Sequence, residues 1–254
     1  MLVIDGHCHA GRGEALTAPW NSAAPLGGYL RRARAAGIDR TVVMPVFHHD
    51  SRRANAELAQ IVRRHPDRLI GFGWVHARRD AGRVGELVRE AVTGHGLRGI
   101  KAHRLEAPIG REICEAARRW RLPIVYDVAS RPHALDLLLP AFRDVTFIVP
   151  HLGSFADDWR AHRVVIDQLA RHPNLYADTS GVRRFDYLVE AVRRAGAGKL
   201  IFGSDGPWLH PALERHKIEL LGLPANDLAL VLGGTLRRIL APVARDRLTA
   251  MAAR

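Results

Sequence analysis

Met1-Leu2-Val3-Ile4-Asp5-Gly6-His7-Cys8-His9-Ala10 opens the chain. An apolar run at Leu2 to Ile4 ends in two imidazoles, His7 and His9. On an extended segment, side chains two apart point to one face, so both rings can reach one metal ion. Cys8 then faces the other way, into the surrounding layer, where a small buried thiol is the plain reading. Fourteen histidines in 254 residues also make one accidental His-x-His unsurprising. The pair gains weight because polar residues recur where later apolar runs end.

Working outward, Thr41 to Val46, Leu69 to Val75, Leu97 to His103, Pro123 to Asp127, Thr146 to Val149, Leu175 to Asp178 and Leu200 to Phe202 read as strands. A Gly/Pro-containing loop over residues 10 to 28 precedes a helix from Tyr29 to Ala36. Helical patterns follow at Arg52 to Arg64, Ala81 to Val92, Glu112 to Trp120, Ala134 to Leu139, Trp159 to Arg171 and Phe185 to Ala195, and two more close the chain at Asn226 to Leu232 and Thr235 to Leu240. Short apolar strands alternating with helices imply parallel crossovers and a sheet buried on both faces. With the opening segment they make eight units, which predicts an α/β fold, a (β/α)8 TIM barrel in one domain spanning residues 1–254. A doubly wound open sheet is the rival. The barrel is preferred because chemistry-bearing residues sit at C-terminal strand ends all along the chain, and only a closed ring brings them together.

Hydrophobic residues at 47% leave ample material for a core. Lys+Arg of 38 against Asp+Glu of 26 gives 38 − 26 = +12, a balance that suits nucleic acid or acidic substrates. Only Lys101, Lys199 and Lys217 are lysines, so the other 35 basic residues are arginines scattered along the chain. No run of five like charges and no interleaved aromatics favour nucleic acid. Two cysteines, Cys8 and Cys114, are too few for a disulfide framework. No secretory leader or membrane-spanning run is evident, which predicts a cytoplasmic protein with no membrane partner.

At the strand ends stand Lys101 and His103 of Gly-Ile-Lys-Ala-His, Asp127 of Pro-Ile-Val-Tyr-Asp, His151 of Phe-Ile-Val-Pro-His-Leu-Gly, and Asp205 of Ile-Phe-Gly-Ser-Asp-Gly-Pro. Lys101 and His103 share one strand face while Ile100 and Ala102 take the other, so the polar pair is expected to point into the barrel mouth. Arg104, Arg131, Arg183 and Arg184 follow strand ends and could clamp carboxylates, although 35 arginines place some there by chance. Phe47, His48, His49, Trp74, His76, Trp208 and His210 fall on the same rim, where packing or surface roles compete with pocket lining.

These stretches resemble the amidohydrolase superfamily, in the amidohydrolase-related branch of aminocarboxymuconate semialdehyde decarboxylase and pyrone dicarboxylate lactonase. The matching segments are Ile4 to His9, Arg63 to Phe72, Gly99 to Lys101, Pro123 to Asp127, Val149 to Gly153, His172 to Gly181 and Phe202 to Pro207. The resemblance implies that His7, His9 and Asp205 bind a divalent metal, zinc first and manganese second, with His151 as catalytic acid/base and Asp205 assisting catalysis. A histidine that merely caps a strand is the bland alternative for His151. Where the family usually carries a metal-binding histidine at the fifth strand end, Asp127 stands here. As a ligand it would make the ion a weaker Lewis acid and a better fit for manganese; alternatively Asp127 pairs with Lys101 and the metal is weak or absent. Some superfamily members carry a carboxylated lysine near such a position. A salt bridge from Lys101 to Asp127, or to a substrate carboxylate, is favoured over that modification.

The expected function is therefore a metal-dependent hydrolase of an amide, lactone or ester, or a non-oxidative decarboxylase, acting on a small carboxylated substrate. Lys101, His103, Arg104, Arg131, Arg183 and Trp208 are the candidate substrate contacts, and a homodimer is the candidate assembly. Two rivals remain. A TatD-like phosphodiesterase would suit the opening motif and the basic surface, but lacks support from Gly203-Ser204 before Asp205. A catalytically inactive barrel that only binds is kept open by Asp127 and by Thr235, where the family's closing Gly-Gly-Asn has lost its Asn.

Overall fold

The computed structural model describes residues 1–13 and 23–241. Strand β1 (Ile4–Arg12) contains His7 and His9 within it, whereas the sequence placed them just after the apolar run. Pairing explains the extension: β1 keeps a parallel ladder with β3 (Arg40–Pro45) as far as Ala10. Its last residues fold antiparallel onto β2 (Ala23–Ala24). The ends of the expected 10–28 loop are thus strand and helix, and its centre, residues 14–22, lies outside the described residues. Helix α1 (Leu26–Ala35) begins three residues before the expected start.

The alternation then follows the sequence closely. Helix α2 (Ser51–Arg64) starts where the Asp50 carboxylate accepts the Arg53 N–H at 3.1 Å. The expected strand over 69–75 divides into β4 (Leu69–Gly71) and β5 (Gly73–Trp74). Phe72 N still bonds to Val43 O at 3.0 Å, while Gly73 N turns to Gly99 O at 2.8 Å, so the segment changes partner at that point. Next come α3 (Val84–Thr93), β6 (Ile100–His103), α4 (Arg111–Trp120) and β7 (Ile124–Asp127). A short α5 (Leu138–Ala141), β8 (Phe147–Val149), α6 (Trp159–Arg171), β9 (Leu175–Asp178), α7 (Phe185–Ala195) and β10 (Leu200–Ile201) complete the repeat. Helix α8 (Pro211–Glu219) was not foreseen, because only Pro211, Glu214 and Ile218 are buried on it and no apolar stripe shows. Helix α9 (Ala225–Ala229) and a helical segment over 235–241 end the described chain.

Hydrogen bonding runs β1-β3-β4, then β5-β6-β7-β8-β9-β10. The ring closes where Gly6 N meets Phe202 O at 2.8 Å and His9 N meets Gly206 O at 2.6 Å. The result is the α/β TIM barrel that the strand count predicted. Strand alternation sorts apolar residues into two layers. Ile4, Val42, Met44, Ile70, Phe72, Val125 and Ile148 fill the barrel interior with Leu236 and Leu240 of the last helix. Val43, Ile100, Ala102, Ile124 and Tyr126 pack between strands and helices. Cys8 is fully buried in that outer layer, as its place between the two histidines required. No helix among the described residues is long and apolar enough to cross a membrane.

Candidate active site

The C-terminal strand ends converge on a cavity of about 420 Å³ lined by His7, His9, Lys101, His103, Asp127, His151 and Asp205, with Phe47, Trp74, Phe155 and Trp208 among its walls. The barrel seam underneath is held by Asp5, whose carboxylate accepts His7 N at 3.0 Å, Ser204 N at 2.9 Å, the Tyr29 hydroxyl at 2.5 Å and the Ser204 hydroxyl. Burial pushes the Asp5 carboxyl up to about 6, against the pull of Ser204 and Tyr29. This knot ties β1 to the residues after β10, which positions His7 against Asp205. Asp205 itself sits at φ +53°, a left-handed conformation that costs a non-glycine residue about 1–3 kcal/mol. Such strain concentrates where a side chain must be aimed.

Three acceptors face one another at the centre. His7 Nε2 lies 3.2 Å from His9 Nε2, and Asp205 Oδ1 lies 3.5 Å from each. His7 Nδ1 donates to Asp178 Oδ2 at 2.7 Å, and His9 Nδ1 donates to the Pro45 carbonyl at 3.1 Å. With their protons held on the far side, both rings turn lone pairs toward Asp205. Burial, together with His7 and Lys101, holds His9 well below the ordinary histidine value and so keeps it neutral. A cation between them satisfies three mutually facing acceptors at once. Their separations match the roughly 3.4 Å between neighbouring donors of a tetrahedral ion with bonds of about 2.1 Å. The donors therefore fit a divalent metal.

His151 stands beside this trio, its ring centroid 5.0 Å from that of His7. It follows β8 on a tight turn, with φ +57° at His151 and +49° at Leu152. The turn is pinned by His151 N donating to Asp178 Oδ1 at 3.1 Å and by His151 Nδ1 donating to the Ser180 carbonyl at 2.8 Å. Burial opposes protonation, but Asp205, Asp178 and Asp127 together raise the imidazole above its ordinary value. Its Nε2 lies 3.7 Å from Asp127 Oδ2. One nitrogen or oxygen each from His7, His151 and Asp205 falls within 4.8 Å of the others.

The amidohydrolase family profile matches residues 4–241. The chain belongs to the amidohydrolase family. Its fold is similar to that of an amidohydrolase from Burkholderia multivorans with bound zinc, at 20% identity and TM-score 0.79 over 95% of this chain and 99% of that one. It is also similar to 5-carboxyvanillate decarboxylase from Sphingomonas paucimobilis, at 16% identity and TM-score 0.71, covering 94% and 98%. A third likeness is to a dihydroxybenzoic acid decarboxylase from Polaromonas sp. JS666 with bound manganese and an inhibitor, at 17% identity and TM-score 0.70, covering 94% and 96%. No curated protein matches. Membership of this family makes the chain an enzyme of the amidohydrolase type.

Within the amidohydrolase site, several expectations shift. Asp127 forms no ion pair with His7 or His9 among the described residues; its Oδ2 takes His103 Nε2 at 3.1 Å and its Oδ1 accepts Ala129 N at 2.8 Å. Burial alone would raise its carboxyl, yet His103, His151 and Lys101 hold it well below the usual range. The expected Lys101–Asp127 salt bridge is not made, because His103 already occupies that carboxylate. Arg104, Arg131 and Arg183 do not line the cavity; Arg183 turns outward to Asp157 at 2.6 Å and Arg184 to Asp186 at 2.7 Å. His103 and Trp208 do line it, and the His9 and Trp208 rings lie 4.9 Å apart. The sequence reading missed Asp178 and Ser180. Asp178 ends β9 in Tyr-Ala-Asp-Thr-Ser-Gly, so the strand-end pattern that found Asp205 could have found it as well. Burial would raise the Asp178 carboxyl, but His7, His151 and Ser180 hold it far below the usual carboxylate range.

Proposed function

We propose that this amidohydrolase catalyses metal-assisted hydrolysis of an ester, lactone or amide in a small carboxylated molecule. The observation that carries the reading is the meeting of His7, His9 and Asp205 with His151 alongside. A divalent ion held by His7, His9 and Asp205, zinc first and manganese second, would supply Lewis-acid polarisation and ease deprotonation of water. Asp205, placed within 3.5 Å of both His7 and His9 where the ion would sit, is the carboxylate positioned to accept the proton of the attacking water. His151, raised above the ordinary histidine value by Asp205, Asp178 and Asp127 against the effect of burial, carries a proton to donate to the leaving atom. Asp127 and the Ser180 carbonyl flank that imidazole, 3.7 Å from its Nε2 and 2.8 Å from its Nδ1.

A specific observation favours a second reading, non-oxidative decarboxylation. Lys101 is 1% exposed in this mostly apolar cavity, so it would hold a substrate carboxylate stripped of water, and His151 would return a proton to the carbanion.

The test pairs metal analysis with turnover. The His7→Ala, His9→Ala double variant should lose the metal, and His151→Asn should lose most turnover of carboxylated lactones and esters while keeping metal. Full metal occupancy in the double variant overturns the reading. Equal loss of metal and turnover in His151→Asn makes that residue a ligand.

A further inference from the structure

Helix α8 carries an ion pair, buried at its acidic end, that stands outside the cavity. Glu214, 5% exposed, meets Lys217 Nζ at 2.7 Å one turn along the helix. Neither residue lines the cavity. Both instead bind the backbone of residues 179–182, the turn that follows β9. Glu214 Oε2 accepts Gly181 N at 2.9 Å, and Lys217 Nζ donates to the Val182 carbonyl at 2.9 Å and to the Thr179 carbonyl at 3.5 Å. Ser180, the remaining residue of the turn, gives its carbonyl to His151 Nδ1 at 2.8 Å. Gly181 holds φ +66°, and a Cβ added there would meet Phe155 Cε2 at 2.6 Å and lie 3.6 Å from His151 Nδ1, so the turn packs against the imidazole itself.

We propose that Glu214 and Lys217 are positioning residues for proton transfer: from outside the cavity the pair fixes the 179–182 turn, and with it the Ser180 carbonyl that holds His151. The inference rests on His151 as the proton donor of the reaction named above. A ring bonded through Nδ1 keeps its orientation and tautomer, which leaves Nε2 as the nitrogen that meets substrate. A carbonyl on a turn holds a ring only as firmly as the turn is held. Asp178 fixes one side of it through Ser180 N at 3.0 Å, and the ion pair adds three bonds from α8. Each of those three has a charged partner, and such bonds are stronger than neutral ones.

Zinc-loaded protein carrying isotope-labelled histidine tests this by nuclear magnetic resonance and by turnover. The His151 Nδ1–H signal is the one that vanishes in His151→Asn. In Lys217→Met and Glu214→Leu it should shift or disappear through exchange with water, while zinc content stays at the parent level. Glu214→Gln, which keeps an acceptor for Gly181 N–H, should leave it near its parent position. Turnover separates loss of aim from general damage: monoethyl succinate expels a poor leaving group that needs the proton, and mono-para-nitrophenyl succinate a good one that does not. Lys217→Met and Glu214→Leu should lose roughly tenfold or more in kcat on the ethyl ester, with KM near the parent value, and about twofold or less on the nitrophenyl ester. An unmoved His151 signal in Lys217→Met overturns the proposal, and so does equal loss on the two esters. Zinc lost together with the signal overturns it as well, because the pair would then support the whole barrel mouth. The resonance needs no substrate: if neither ester is turned over, the hydrolytic reading falls and the signal still decides whether the pair positions His151.

Discussion

Asp178 governs both halves of the site through one carboxylate. Its Oδ2 takes the His7 Nδ1 proton, and its Oδ1 takes the His151 N–H, the Ser180 N–H at 3.0 Å and the Ser180 hydroxyl at 2.6 Å. A carboxylate behind a metal-binding histidine sets its tautomer and raises its donor strength, and losing it typically costs about 10–100-fold in affinity. Asp178→Asn should therefore weaken metal binding by that factor, read by competition with a chromogenic chelator; unchanged affinity would show that the Pro45 and Asp5 contacts suffice to orient the pair. Asp127 is the contrasting case. Bonded to His103 and set beside His151, it should tolerate Asp127→Ala with metal retained and turnover reduced about tenfold or more, since His151 loses a partner that favours its proton. Metal lost together with turnover would make Asp127 a ligand, the role its strand-end position first suggested. Sequence alone placed Asp127 at the correct strand end. Which neighbour it bonds depends on how far β6 and β7 bring His103 across, and spacing carries no such information.

Among the elements, the contact between β1 and the chain after β10 decides whether the site assembles. A Cβ added at Gly6 would meet Ile201 Cγ2 at 2.6 Å and the Phe202 carbonyl at 3.1 Å. There is no room, so Gly6→Ala must push β1 from β10 and stretch the Gly6–Phe202 bond that closes the ring. Overpacking of this kind costs about 1–3 kcal/mol. Denaturant unfolding should show that loss, and metal affinity should fall with it because His7 and Asp205 lie on opposite sides of the seam; full stability would mean the seam yields freely. Elements with strong apolar periodicity were legible in advance, as α6 and α7 show with the same bounds as expected. The β4–β5 division was not legible, because the change of hydrogen-bond partner at Phe72 leaves the residue pattern of the segment unaltered.

Across the whole molecule, pH acts on groups away from the metal donors as well. Glu106, in the loop after β6, is raised from 4.5 to about 7 by burial, against Arg79 at 3.1 Å. A raised carboxyl means the native state holds the proton more tightly than the unfolded chain. Its contribution favours folding below about pH 4.5 and is lost as pH rises toward about 7. Glu106→Gln, a mimic of the protonated form, should therefore be more stable than the parent at pH 8, by about 1 kcal/mol after allowance for solvent screening, and close to it at pH 5. Thermal unfolding at the two values checks this, and an equal effect at both would assign the residue a role independent of its charge.

The sequence by itself determined the number and order of the repeating units, because burying each parallel strand on both faces demands short apolar runs and covering helices. It also placed His7, His9, His151 and Asp205 at one end of the barrel, since residues at C-terminal strand ends meet there in any closed ring. Only the tertiary structure decided which of those groups touch. Asp178 and Ser180 join residues more than 170 positions apart, Arg183 and Arg184 turn to the carboxylates of Asp157 and Asp186, and Trp74 is set beside Lys101 by register alone. Such contacts depend on strand register and on the left-handed turns at His151 and Asp205, which arise from the closed ring and leave no local mark in the order of the amino acids.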